Sequence, residues 1–173
     1  LVGTRSKEGT SNLAIFNSII HIGSNPPLLG MIFRPVDEVR RDTYKNIRNT
    51  GFFSLNMVPT NRIHSAHQTS AKYAEGVSEF EYCGFTEEYF EDYEVPLVGE
   101  SPVRLIMKKE SEQELINGTI LVIGSVQLVD LQGEYLDPEG HLDLEKAGVA
   151  GVCGLNTYFG LNMLGQEGYA RTE

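Results

Sequence analysis

The sequence predicts a mainly β domain with helical insertions, an α+β chain whose strands form a β-barrel. Three observations lead there. Residues 119–131 give the strongest β signal in the chain: Leu121, Ile123, Ser125, Gln127 and Val129 face one way, and Ile120, Val122, Gly124, Val126 and Leu128 the other. Several further short apolar runs, at residues 28–33, 52–58 and 103–109, read as strands with two or three helices between them. A length of 173 residues suits one domain, taken as 1–173, with a sizeable core.

The elements follow in order. Residues 1–5 read as the end of a strand, and Lys7-Glu8-Gly9 as a turn. Residues 10–22 read as one extended run, until Ser24-Asn25-Pro26-Pro27 breaks it. Residues 28–33 form a continuous apolar strand whose Gly30 marks a bulge or the close approach of another group. Asp42 or Thr43 caps a short helix that Gly51 stops. Residues 52–58 alternate as a strand closed by Pro59, and Asn61 caps a helix running to about Tyr73. Residues 75–94 carry eight acidic and no basic side chains among six aromatics. We read them as irregular structure with short helices, aromatics inward and acids outward. Residues 103–109 are a strand, and Asn117-Gly118 is the turn into 119–131. Asp137-Pro138-Glu139-Gly140 is a further turn, and the glycine-rich tail from Gly148 has Tyr158, Phe159 and Tyr169 as anchors.

Composition narrows the function classes. The net charge of −10 disfavours nucleic acid and anionic membrane surfaces as partners. Within it, residues 34–48 hold five basic against three acidic side chains, a positive island that suggests a local anion site. For Arg41, with Asp37 or Lys45 four residues away, a solvated helix face is the better explanation. Cys83 and Cys153 are too few for a structural zinc site or a disulfide framework, so a reducing cytoplasm is the default compartment. No run is apolar enough to span a bilayer and no signal peptide is visible, though the chain opens at Leu1 rather than Met.

Familiar catalytic patterns are missing. No GxGxxG follows a strand, no Walker loop is present, and no serine sits in a nucleophile elbow. His64 and His67 share a helix face without a carboxylate or cysteine in register, which suits surface or partly packed histidines better than metal ligands. Cys153 suits a small packed residue better than a reactive thiol.

What remains are three segments near the N-terminus. Residues 10–18 (Thr-Ser-Asn-Leu-Ala-Ile-Phe-Asn-Ser) offer hydroxyls, amides and backbone groups along an extended run. Phe33-Arg34-Pro35 puts an arginine at the end of an apolar strand, and residues 42–47 (Asp-Thr-Tyr-Lys-Asn-Ile) begin a helix among arginines. Together they suit a flat, hydrogen-bonding ligand that bears a phosphate. Each has a plainer reading too: Asn12 shaping a turn, Thr43 capping its helix, Phe16 and Phe33 filling a core.

The order of these segments resembles the flavin reductase-like family of FMN-binding split barrels, which includes the flavoredoxins. The likeness runs through Leu1-Val2-Gly3-Thr4, the Lys-Glu-Gly turn, residues 10–18, Asn25-Pro26-Pro27-Leu28, Phe33-Arg34-Pro35, residues 42–47, residues 50–56, and residues 118–126 with their Gly124-Ser125-Val126 element. The resemblance implies a homodimer with FMN in a groove at its interface. It implies electron transfer from NADH or NADPH through FMN to a small-molecule or redox-protein acceptor, with a non-catalytic FMN carrier as the alternative. Arg34, Thr43 and the amides after Thr43 would hold the phosphate. Ser11, Asn12, Leu13, Ala14, Phe16, Asn17 and Ser18 would meet the ring, and Phe16, Phe33 or Tyr158 from the partner's tail would cover a ring face. No metal and no particular catalytic residue is implied. One departure stands out: many reductases of the family carry a histidine shortly before the Gly-x-Val element, where this chain reads Gly118-Thr119-Ile120, and Ser125 replaces the common glutamate.

Overall fold

The computed structural model describes residues 1–36, 41–74 and 76–172. In chain order these form β1 (Val2–Arg5), β2 (Ser11–Ala14), β3 (Ile19–Ser24), β4 (Pro27–Phe33), α1 (Asp42–Thr50), β5 (Phe52–Asn56), α2 (Ile63–Gln68), α3 (Glu79–Cys83), β6 (Glu87–Glu88), β7 (Leu97–Val98), β8 (Val103–Glu114), β9 (Ile120–Leu131), β10 (Ala150–Cys153) and β11 (Thr157–Gly160). Seven strands make one antiparallel sheet in the order β2-β1-β5-β8-β9-β4-β3. Val2 of β1 and Met31 and Phe33 of β4 lie toward opposite ends of that order, yet share one core with Phe53, Leu55, Met107, Ile120 and Val122. The sheet has therefore wrapped around its inner face. Its edge strands β2 and β3 are not paired to each other, so the barrel is split.

The inner face is filled by alternation. Paired residues of an antiparallel ladder point the same way, and the buried positions of β9, Ile120, Val122 and Gly124, share one face as expected; past Gln127, which has no partner in β8, the alternation shifts and Leu128 packs with Ile106 on the outer face instead. A Cβ on Gly124 would lie 2.9 Å from Phe53 Cζ, so glycine lets the Phe53 ring lie against the strand. Helix α1 adds Tyr44 and Ile47 to this core. It docks through two buried amide–hydroxyl bonds, Asn12 Nδ2 to Thr43 Oγ1 and Asn46 Nδ2 to Thr4 Oγ1, each 3.1 Å. Gly51 ends the helix at φ +79°, as expected, its N–H donating to the Ile47 carbonyl.

The outer face is divided. Across β2, β1, β5 and β8 it is covered by the excursion between β5 and β8. Leu13 packs with Ala66, Phe80, Phe85 and Val98, and Ile106 with Val95 and Leu97. Gly3 has no room for a Cβ, which would sit 2.4 Å from the Pro96 carbonyl oxygen. Across β3, β4 and the start of β9 no described element covers it. Ile20 and Ile22 are 43% and 41% exposed, and Leu28, Ile32, Leu121 and Ile123 are half-buried. Gly30 belongs here: a Cβ would lie 2.9 Å from Ile20 Cγ1 and 3.0 Å from Leu121 Cδ1, which is the expected close approach.

Several elements differ from expectation. The run 10–22 is two strands, because residues 15–18 leave β2 and cross to β3 without a ladder, held by the bond from Ile32 N–H to the Ser18 carbonyl. Neither Asp42 nor Thr43 caps α1. Arg41 holds the cap position without a side-chain bond, and the Thr43 hydroxyl accepts from the Asn12 amide. The helix expected to reach Tyr73 is a 3-10 turn, Thr60–Arg62, followed by α2. It stops at Gln68 because the Thr69 and Ser70 hydroxyls bond back to the Ala66 and His67 carbonyls. β8 extends to Glu114 because β9 pairs with it throughout, a tertiary gain that a polar sequence does not announce. Among the acidic aromatics Phe80 and Phe85 turn inward, but Tyr82 is 68% exposed. Tyr169, expected as an anchor, is 93% exposed. Among the described residues no helix is long and apolar enough to cross a membrane.

Candidate functional site

The three N-terminal segments meet around the split. β2 ends at Ala14 and β3 starts at Ile19, so residues 15–18 bridge the two edges of the sheet. Phe33 lies beneath them, fully buried, with Phe16 edge-on at 5.1 Å between ring centroids and Tyr44 of α1 tilted at 5.3 Å. Phe33 is thus a core residue. Phe16 is only partly buried and could still meet a ligand.

β2 has less to offer a ligand than its residue types suggest. The Ser11 hydroxyl donates to Glu87 Oε2 at 2.7 Å and lies 3.0 Å from the Tyr89 hydroxyl. Burial, followed by the bond to Glu87, pushes the Tyr89 phenol above its usual range. Asn12 is committed to Thr43. The Leu13 side chain is fully buried on the covered outer face, and its N–H donates to Glu79 Oε2 at 3.0 Å. Ala14 closes the strand half-buried. The groups nearest the split are therefore those of residues 15–18, where the Ser18 hydroxyl donates to Asn17 Oδ1 at 3.2 Å. Asn17 Nδ2 also donates to the Gly154 carbonyl at the tip of the β10–β11 hairpin.

The start of α1 gathers groups that could hold an anion. A helix leaves its first N–H groups without intrahelical partners, and here the first such bond is Lys45 N–H to the Arg41 carbonyl, with no side-chain cap before it. Arg41 Nε is buried without a hydrogen-bond partner. Arg34, at the end of β4, is exposed and makes no hydrogen bond or ion pair to a described residue. Of the positive island, Asp37, Glu38 and Arg40 lie outside the described residues, and with them the Asp37–Arg41 pair. Sequence reasoning set Arg41 aside as one half of that pair. The signal that could have retained it was its place immediately before the helix.

A polar cavity of about 320 Å³ flanks the same helix, lined by Glu8, Ser11, Asn12, Asp42, Lys45 and Asn46 among others. Its charges are mixed and neither Arg34 nor Arg41 lines it, so it is not the anion end. Thr119 shapes the turn into β9, its hydroxyl donating to Asn117 Oδ1 at 2.6 Å, and Ser125 bonds Glu110 at 2.6 Å. Tyr158 of β11 packs edge-on against His67 of α2 in its own chain, its hydroxyl 2.9 Å from Nδ1. That contact was not legible from the sequence.

Residues 1–144 match the family described as flavin reductase like domain. A split barrel domain protein from Shewanella frigidimarina NCIMB 400, named for a flavin reductase, is 39% identical and superposes with a TM-score of 0.93 over 98% of this chain and 84% of its own. The flavoredoxin of Desulfovibrio vulgaris, 21% identical, shares the fold with a TM-score of 0.83 over 98% of this chain and 89% of its own. A curated relative from Halalkalibacterium halodurans is 33% identical over 111 residues, 64% of this chain, and the match spans about half (53%) of that relative's length. The chain belongs to the flavin reductase-like family and has its split-barrel fold.

Proposed function

We propose that this protein is an FMN-binding oxidoreductase, a flavin reductase or flavoredoxin-like protein that passes electrons from NADH or NADPH through FMN to an acceptor. The observation that carries the reading is the start of α1. An unpartnered buried guanidinium nitrogen of Arg41, an exposed Arg34 and a helix N-terminus without a side-chain cap suit the phosphate of FMN. Bound FMN would supply hydride and single-electron chemistry at its ring. The chain's own residues do the rest. Arg34, Arg41 and the first N–H groups of α1 hold the phosphate, and Thr43 fixes that helix start through Asn12. Backbone groups of residues 15–18 with Asn17 and Ser18 orient the ring edge, and Phe16 screens it from water.

The uncovered outer face supports the second part of the reading, a homodimer. Ile20, Ile22, Leu121 and Ile123 form an apolar patch that a second copy would bury, with the groove between copies beside the split. We place the protein in the cytoplasm, where its two free thiols would stay reduced.

Reconstitution with FMN tests the reading. The expected result is a yellow protein that bleaches when NADH or NADPH is added anaerobically. A protein that cannot retain FMN defeats it. Retention without bleaching by either nucleotide selects the carrier alternative, which the turn-shaping Thr119 favours.

A further inference from the structure

We propose that the β10–β11 hairpin is a strap beside the loop at residues 15–18, and that the His67–Tyr158 pair positions it and thereby selects which electron acceptors reach the site. This rests on the FMN reading above. Among the described residues the two strands of the hairpin pair with each other and have no ladder to the seven-stranded sheet. A lone two-stranded ribbon is marginal in water, and this one buries little: Val152 is 37% exposed, Phe159 53% and Leu155 65%. Its pose therefore depends on a few anchors. At the base, Thr60 N–H donates to the Gly148 carbonyl and Ala150 N–H to the Val58 carbonyl, both 2.8 Å. At the tip, Asn17 donates to Gly154. Between them stands the bond of Tyr158 to His67, 2.9 Å with the rings nearly perpendicular.

Those anchors connect the hairpin to the proposed ring end from two sides. Asn17 belongs to the bridging loop itself. His67 follows Ala66, which is fully buried in the cluster against which Ile15 of that loop packs. Helix α2 is thus a fixed post beside the loop, and Tyr158 fastens the ribbon to it. Positive φ at Gly148 (+63°) and Gly154 (+64°) sets the turns at base and tip. Fastened, the strap leaves room for a small acceptor and obstructs a protein-sized one. Unfastened, it opens about its base.

The test uses FMN-loaded protein, photoreduced without nucleotide, and follows reoxidation by ferricyanide and by cytochrome c. Tyr158→Phe and His67→Ala should raise the cytochrome c rate several-fold and leave the ferricyanide rate within about twofold. His67→Gln, which keeps a polar partner for the phenol, should stay close to wild type. Unchanged rates, or the same fold-change for both acceptors, overturn the proposal. Amide hydrogen exchange of residues 151–159 in flavin-free protein gives a reading that needs no cofactor. Faster exchange in Tyr158→Phe is expected, and identical exchange overturns the latch. Loss of FMN from wild type would instead sink the FMN reading.

Discussion

The outer face of the seven-stranded sheet is dry on one half and bare on the other. Over β2, β1, β5 and β8 the chain covers it with its own excursion, placing Phe80, Leu97 and Val98 against Leu13 and Ile106. Over β3, β4 and the start of β9 a comparable set of apolar side chains meets no described element. The strands of the bare half are the more apolar, so strand composition does not decide which half is hidden. Connection length does: β5 and β8 are joined by a long excursion that can fold back, whereas β3 and β4 are joined by a two-residue turn that cannot. The covered half stabilises the monomer. The bare half is available to a second molecule.

Four experiments would break or sharpen that contrast. The largest effect is expected in the covered half. Phe80 is fully buried, so Phe80→Ala should lower unfolding stability by about 3–5 kcal/mol in urea titrations. A loss below about 1 kcal/mol would mean that the excursion is a loosely held flap.

In the bare half, Ile20→Glu should cost the monomer less than about 1 kcal/mol, the range for an exposed position. Its effect should appear in light scattering instead, as a fall from dimer to monomer mass. A variant that loses stability while keeping its mass would show the face to be core rather than interface.

Arg34 closes β4, a strand of the bare half, and touches no described partner. Arg34→Ala should weaken FMN binding about 10- to 100-fold, the scale of one charge-assisted hydrogen bond. The melting temperature of the flavin-free protein should not move. Equal FMN affinity in variant and wild type would show that Arg34 does not hold the phosphate.

The smallest effect belongs to a charge at the end of the inner face. Burial raises the Glu112 carboxyl, but the Lys109 ammonium 2.7 Å away and the nearby Arg48 outweigh it, leaving the group below its usual range. Its stabilisation is therefore present above the unfolded value and fades as pH falls through the depressed folded value. Glu112→Gln should flatten the acid limb of the stability curve by no more than about 0.5 kcal/mol, because the pair is partly exposed. An unchanged acid limb would show that the carboxylate is already screened.

Much of the barrel was legible. The alternation in 119–131 predicted the two faces of β9 as far as Val126, Gly51 predicted the end of α1, and Gly30, read as a bulge or a close approach, proved to be a close approach. The break at residues 15–18 was not, because Leu13, Ile15, Ile19 and Ile20 continue an apolar run while the sheet edge ends beneath it. At the candidate site the ordered segments identified the neighbourhood and the family. They did not show the partners: Thr43, read as a cap, instead accepts a bond from the Asn12 amide, and Phe33, read as core or shelf, is buried. His67 and Glu79 carried no local signal of their contacts, since each acquires its significance from a residue that only folding brings near.

By itself the sequence determined periods, stops and residue types: where strands and the α1 helix run, where glycine must stand, and which segments could meet an anion and a flat ring. These are local properties, set by side-chain spacing of two or 3.6 residues and by backbone chemistry within a turn. Tertiary structure alone decided the partners. Asn12 meets Thr43 across 31 positions, Leu13 meets Glu79 across 66, and His67 meets Tyr158 across 91. It also decided which half of the sheet stays bare, because that depends on where a long connection comes to rest, and no pattern within a strand records it.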